Sequence, residues 1–526
     1  MTRPRSTIRP WARAAVALAL AAAIAPAGRA AAPVDDAFTT YWAAGSVAEA
    51  VAAAPAIVQS GVDFDTAMAR LKKGRSYDGS APRGVQRFTR TAGATSFPYT
   101  VDVPASYDPA RKYQVRVQLH GGVGRPDPAA RGDGSIGALA GAEQIYVLPQ
   151  AWAEAQWWTA AQDENVPAIL DRVKRTWNVD ENRVVLSGVS DGGTAAFYVA
   201  MRDTTPYASF LPLNGFILVL RNRDVGVVGT LFPHNLTNKP FFVVNGGQDR
   251  LYPAARVEPY LTQFQAGGLT MVYQPQPEAG HNTSWWPTVK DDFERFAAGH
   301  PREPHPARLT WQTDSTTTRN RAHWLVIDRL APSGPGEELP DLNHFTAGEE
   351  LNFGVRASGM RVTAVLAGSN AERFGLRPAD LVVAINGRAL PDALELTEFL
   401  GIYQPGEALH FEVERGRETV DLKGTYQPTR MPRVTPLFPT GRAAGRVDLV
   451  REGNTVRATT RGVAAFTLLL SSDAFDLSRP ITVVADGRTV FNGPVRKSVE
   501  TLVTWAAKDN DRTMLYGAAL PITLAP

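Results

Sequence analysis

Apolar positions divide this chain into stretches of different period. From residue 33 to about residue 80 it is alanine-rich, and Val47, Val51, Ala54 and Val58 recur at helical spacing. That spacing predicts two or three helices. From Val85 the pattern shortens. Val85–Phe88 and Phe97–Val103 read as strands separated by turn residues, followed by strands over Tyr113–Leu119 and Ile145–Leu148. Val184–Leu186, Phe210–Leu213 and Phe241–Val244 are bounded apolar runs, the pattern of strands buried on both faces. Asn165–Trp177 has helical spacing and a basic last turn, Lys174-Arg175. Strands alternating with helices predict a doubly wound, mainly parallel α/β domain over residues 81–300.

The run Pro301-Arg302-Glu303-Pro304-His305-Pro306 interrupts this pattern. Beyond it, strands are predicted over Ala322–Leu330, Arg446–Leu449, Thr455–Thr459, Phe466–Leu470, Ile481–Ala485 and Arg488–Phe491. Asp486-Gly487 between the last two is a hairpin signal. An antiparallel sandwich or sheet domain is expected. Residues 348–427 have a character of their own, so 305–347 and 428–526 are expected to form one β-rich accessory domain split by an insertion.

Composition narrows the class. A chain of 526 residues implies roughly two to four domains. The net charge is +3 and the basic residues are scattered, which argues against nucleic-acid binding. At the N-terminus, Arg3, Arg5, Arg9 and Arg13 precede the apolar run Ala14–Ala25 and the small residues through Ala30. This is the pattern of a secretory signal peptide over residues 1–30, with a periplasmic or secreted product and no membrane span after cleavage. Cysteine is absent, which excludes thiol catalysis and a lipid-anchored N-terminal cysteine. No metal-ligand spacing is present, and neither metal nor cofactor is expected.

The sharpest local signal is Gly188-Val189-Ser190-Asp191-Gly192-Gly193, after a strand and before a helical run. In that context a glycine-flanked serine becomes an exposed nucleophile. Such a serine needs a base, an acid to orient the base, and donors for an oxyanion. Asp249 follows the strand Phe241–Val244 at the open end of the sheet and is the candidate acid, with Glu258 and Glu278 as alternatives. His281 follows the apolar Met271-Val272-Tyr273 on a loop and is the candidate base. The amides of Asp191 and of Gly122, or alternatively Gly121, in the loop His120-Gly121-Gly122-Val123-Gly124 are the candidate oxyanion donors. Trp152, Trp157, Trp158, Trp285 and Trp286 are candidates for an aromatic wall or for plain packing.

With these residues in their order, residues 81–300 resemble the α/β-hydrolase superfamily, in particular its prolyl-oligopeptidase, dienelactone-hydrolase and polyhydroxybutyrate-depolymerase-like members. The run Asn178-Val179-Asp180-Glu181-Asn182-Arg183 carries part of the likeness, and it implies a structural turn marked by Asp180 and Arg183. Residues 348–427 resemble a bacterial PDZ domain through Gly375-Leu376, Asp380 and Ile385-Asn386-Gly387, in spite of Ala379 where glycine is usual and Asn370 where proline is usual. That likeness implies a loop at Asn352, Phe353, Gly354 and Val355 for a peptide C-terminus, with a helix near Asp392–Leu400 completing the groove. The expected function is an exported serine hydrolase of a small-molecule ester or a peptide, with a PDZ module for peptide binding or docking. The competing reading is an inert hydrolase-fold scaffold.

Overall fold

A computed structural model of the chain describes residues 33–126, 134–331, 342–389, 396–400, 402–438 and 442–524. The stretch read as a signal peptide lies outside the described residues, as does the part of the expected groove helix over 390–395. Three helices come first: α1 Val34–Ala43, α2 Val47–Gln59 and α3 Phe64–Lys73. Ser46 and Asp63 start α2 and α3 by accepting hydrogen bonds from the Glu49 and Thr66 N–H groups. Phe38, Ile57 and Leu71 on these helices share a core with Leu502 and Val503 near the far end of the chain.

The strands β1 Gly84–Ala92, β2 Thr95–Val103, β3 Tyr113–Leu119, β4 Ile145–Pro149, β5 Val179–Val189, β6 Ser209–Leu213, β7 Phe241–Val243 and β8 Met271–Tyr273 make one sheet. Its order is β1-β2-β4-β3-β5-β6-β7-β8. The β1 and β2 pairings are antiparallel, and every pairing from β4 through β8 is parallel. Helices α4 Ala160–Thr176, α5 Asp191–Arg202 and α6 Ala254–Ala266 pack on one face, and α7 Trp286–Gly299 on the other. Leu186, Phe210 and Phe241 point into the first layer; their neighbours Val185, Leu211 and Phe242 point into the second. Burial on both faces explains why these strands read as unbroken apolar runs. This is the α/β-hydrolase fold.

β5 begins earlier than its apolar core suggests. Tyr113 pairs with Val179 and Val115 with Val184, so residues 180–183 bulge out of the ladder. The turn expected at Asp180 and Arg183 is therefore a bulge inside the strand, closed by the Asn182 N–H donating to Asp180 Oδ1.

The β-rich part opens with β9 Arg308–Thr313, β10 Arg321–Ala322 and β11 Leu325–Leu330. The single strand expected over Ala322–Leu330 is thus broken. His323 turns the chain at φ 47°, and Trp324 drops into the core with its indole N–H on the Pro306 carbonyl.

A ribbon of β12 His344–Asn352 and β19 Thr429–Pro436 then carries a separate five-stranded path. That path comprises β13 Val355–Ser358, β14 Arg361–Val365, β15 Leu381–Ile385, β17 Ala408–Arg415 and β18 Glu418–Thr425. The short β16 Arg388–Ala389 pairs with β15, and the helices are α8 Asn370–Phe374 and α9 Leu396–Leu400.

β20 Gly445–Glu452, β21 Thr455–Arg461, β22 Val463–Leu470, β23 Ile481–Ala485, β24 Arg488–Gly493, α10 Val499–Asp509 and β25 Ala518–Thr523 complete the chain. β9 pairs with β20 and β11 with β22, so strands from either side of the ribbon share two sheets. β21 and β23 run parallel, a departure from the purely antiparallel expectation. Asp486 and Gly487, both at positive φ, turn the β23–β24 hairpin.

Candidate active site

Ser190 stands between the end of β5 and the start of α5 at φ 58° and ψ −117°. A side-chain-bearing residue seldom adopts this conformation. The backbone around it is too crowded to relax. A Cβ on Gly188 would lie 2.2 Å from the Gly192 carbonyl carbon, and one on Gly192 would lie 2.1 Å from the Leu119 oxygen. The glycines of the motif thus let strand, turn and helix approach closely enough to force the serine outward. The Ser190 N–H donates to the Leu213 carbonyl and its own carbonyl accepts from Thr194 N–H, fixing both ends of the turn.

The structure brings Ser190, His281 and Asp249 together. His281 Nε2 lies 2.8 Å from Ser190 Oγ, and His281 Nδ1 lies 2.6 Å from Asp249 Oδ2. Asp249 is buried, and its second oxygen accepts from the Leu251 and Tyr252 N–H groups. With the ring proton on Nδ1, the imidazole donates to this carboxylate and presents Nε2 as an acceptor to the serine. The alternatives do not meet the histidine. Glu278 bonds Gln248 at the surface, and Glu258 lies on α6.

The loop 120–124 lies against the serine: a Cβ on Gly121 would approach Ser190 Cβ to 2.6 Å. Gly122 has φ 68°. The Val123 N–H donates to Asp191 Oδ2 at 2.9 Å, tying this loop to the first turn of α5. His120 is a support. Its Nε2 accepts from Ala151 N–H, its Nδ1 meets the Gly121 carbonyl, and its own carbonyl accepts from the Trp157 indole.

The five tryptophans do not form a wall. Each is at most 8% exposed. The indoles of Trp157, Trp158 and Trp286 donate to the carbonyls of His120, Val225 and Ala140. Space next to the site comes instead from a cavity of about 540 Å³, bordered by Gly121, Val189, Thr283, Tyr99, Ile136 and Leu148. A larger cavity of about 830 Å³ lies between α4, residues 45–48 and residues 319–321, and none of Ser190, His281 and Asp249 borders either cavity.

Sequence reasoning missed two supports. Asn214, at φ 48° after β6, donates through Nδ2 to the Asn282 carbonyl and so anchors the His281 loop. Its signal was the Asn-Gly pair closing an apolar run. Tyr252 stands edge-on to His281 with ring centroids 5.5 Å apart. Burial, with the Asp191 and Asp249 carboxylates nearby, pushes its hydroxyl up to about 12.

In the ribbon-borne domain the candidate loop is less open than its residues suggest. Phe353 and Val355 are buried in that domain's core, and the Gly354 N–H donates to Asn352 Oδ1. Both departures from the family pattern have physical consequences. Ala379 sits at φ 76°, a conformation that suits glycine. Asn370 uses its amide to join α8 to β18, donating to the Thr425 carbonyl and accepting from Gln427 N–H.

Residues 361–415 match the family model described as a PDZ domain. No curated protein gives a significant sequence match to the chain. Similar solved structures include a thermostable esterase at 20% identity, covering 41% of this chain and 63% of that one with TM-score 0.33. An S-formylglutathione hydrolase from Agrobacterium tumefaciens is 12% identical, with 41% and 95% covered and TM-score 0.32. A putative dipeptidyl aminopeptidase IV from Bacteroides ovatus ATCC 8483 is 16% identical, with 43% and 37% covered and TM-score 0.35. The chain thus spans about two fifths of the peptidase's length and under two thirds of the thermostable esterase's. At these identities and scores the likeness speaks to neither substrate nor site.

Proposed function

We propose that this chain is an exported serine hydrolase that cleaves an ester or amide bond through Ser190, His281 and Asp249. The reading rests on one observation, the continuous pair of hydrogen bonds from Ser190 Oγ through the His281 ring to the buried Asp249 carboxylate. His281 Nε2 takes the Ser190 proton as Oγ attacks the carbonyl carbon. The oxyanion forms beside the Asp191 amide and the Gly121-Gly122 loop, Gly122 being the second donor. Collapse expels the alcohol or amine, which leaves with the proton from His281. Water, deprotonated by the same nitrogen, then attacks the acyl-enzyme and releases the acid. Asp249 keeps the ring in its productive tautomer and balances the imidazolium. The cavity beside Val189 has the size and mixed lining for one substrate group. The basic and apolar N-terminus supports export, and the PDZ domain supports capture of a peptide C-terminus or docking.

The test is turnover of short-chain nitrophenyl esters beside a panel of peptide amides, by wild type and by Ser190→Ala. Loss of roughly a thousandfold or more in kcat is expected for the variant. Equal rates for the two proteins contradict the reading.

A further inference from the structure

A row of aromatic rings leads from His281 out of the hydrolase domain. Tyr252 meets the imidazole edge-on at 5.5 Å and 79°. Phe216 lies 5.9 Å from Tyr252, and Tyr260 of α6 lies 5.8 Å from Phe216. The row ends at Phe345, which stacks on Tyr260 at 4.4 Å and 29°. Phe345 belongs to β12, which is not part of the hydrolase sheet and runs straight into Asn352–Val355 of the PDZ domain.

This end of β12 is firmly held. Gln263 Nε2 on α6 donates to the Leu342 and His344 carbonyls. Leu342 packs in the hydrolase core, so close to Gly267 that a Cβ there would come within 1.9 Å of it.

The geometry at His281 gives this row something to do. The two hydrogen bonds of the ring lie on its opposite nitrogens, roughly along one line across it. They fix that line and do not themselves set the tilt of the ring about it. Tyr252 supplies the opposing contact, and close-packed rings behind it cannot move independently.

We propose that Phe345 is a positioning residue for the hydrolase site. Acting through Tyr260, Phe216 and Tyr252, it sets the tilt of the His281 ring, so the PDZ ribbon governs turnover at Ser190. The register break in the ribbon between Thr346 and Glu349 is where a load on the PDZ loop bends β12. The proposal rests on the serine-hydrolase reading above.

The experiment uses the full chain with p-nitrophenyl acetate, counting active sites with a fluorophosphonate. Phe345→Ala is expected to lower kcat per counted site by roughly three- to tenfold, the worth of one aromatic contact. KM should stay unchanged, and Phe345→Tyr should restore the rate. Combined with Tyr252→Leu, it should cost less than the product of the two single effects. A merely structural role would lower the number of sites and leave the rate per site alone. An unchanged rate per site, or effects that multiply, overturns the coupling while leaving the hydrolase reading intact. Absence of Ser190-dependent turnover in the wild type overturns both.

Discussion

Two of the seams that join the hydrolase domain to the rest of the chain differ in kind. At the start of β5, Arg302 and Asp511, both fully buried, pair at 2.7 Å, and Arg302 also reaches Asn182 and the Thr205 carbonyl. Arg512 grips Glu181 in the bulge and Asn178 and the Val179 carbonyl just before it. At α6 the seam is aromatic and aliphatic, made by Leu342, Phe345 and Phe438. The first lies at the opposite end of β5 from Ser190; the second reaches the His281 ring through three side chains. Desolvated charge suits a joint that must not slip, because a misplaced partner leaves an unpaired ion. Stacked rings suit a joint whose geometry has to be transmitted.

Breaking the charged seam should therefore cost stability and spare the chemistry. Asp511→Ala strips the buried Arg302 of its counter-ion and should lower unfolding free energy by about 3–5 kcal/mol, read by urea denaturation. The folded fraction should keep its kcat per site. A fall in kcat per site matching that of Phe345→Ala would erase the distinction between the two seams.

Acid should act through the same region. Burial holds His305 down at about 4, against its ordinary 6.5, with Arg302 and Arg451 disfavouring its cation and Asp473 and Asp511 favouring it. Burial holds His323 well below its ordinary range too, with Lys239, Arg302 and Arg321 nearby adding to the effect. Both are neutral in the folded protein while the unfolded chain takes up protons below about pH 6.5. Stability is thus fully present above that pH. It should fall between pH 6.5 and 4 by up to roughly 1.4 kcal/mol per unit for each histidine. Midpoints of urea unfolding across this range measure it, and a flat profile would mean that the two rings are not buried as neutral species.

The PDZ domain offers the smallest effect. Ala379→Gly relieves a positive φ and should stabilise that domain by about 1 kcal/mol, seen in its melting. Turnover should not change, because the Ala379 backbone bonds Val362 and Arg361 inside the PDZ domain. A shift in kcat would mean that PDZ stability itself is sensed at the site.

Much of this was legible in the order of residues. β3 and β23 came out at their observed limits because bounded apolar runs leave little freedom, and the meeting of Ser190, Asp249 and His281 follows from chain order and loop position. What could not be read was contact between distant segments. The bulge at residues 180–183 looks like a turn until Arg302 and Arg512 are seen to fill it from outside the domain. The break at His323 depends on where Trp324 can bury its indole. Tyr252, Phe216, Tyr260 and Phe345 share no sequence pattern, and only the docking of β12 on α6 lines them up. Which of the two readings of the tryptophans holds was not legible, for the converse reason. Their nearness to the site in sequence said nothing about which way the rings face.

The central claim is that Ser190 is an activated nucleophile. The most direct measurement is intact and peptide mass of the full chain after exposure to a fluorophosphonate. One adduct per chain is predicted, located on the peptide containing Ser190 and lost in Ser190→Ala and His281→Ala. An unmodified chain, or an adduct that persists in Ser190→Ala, would contradict it.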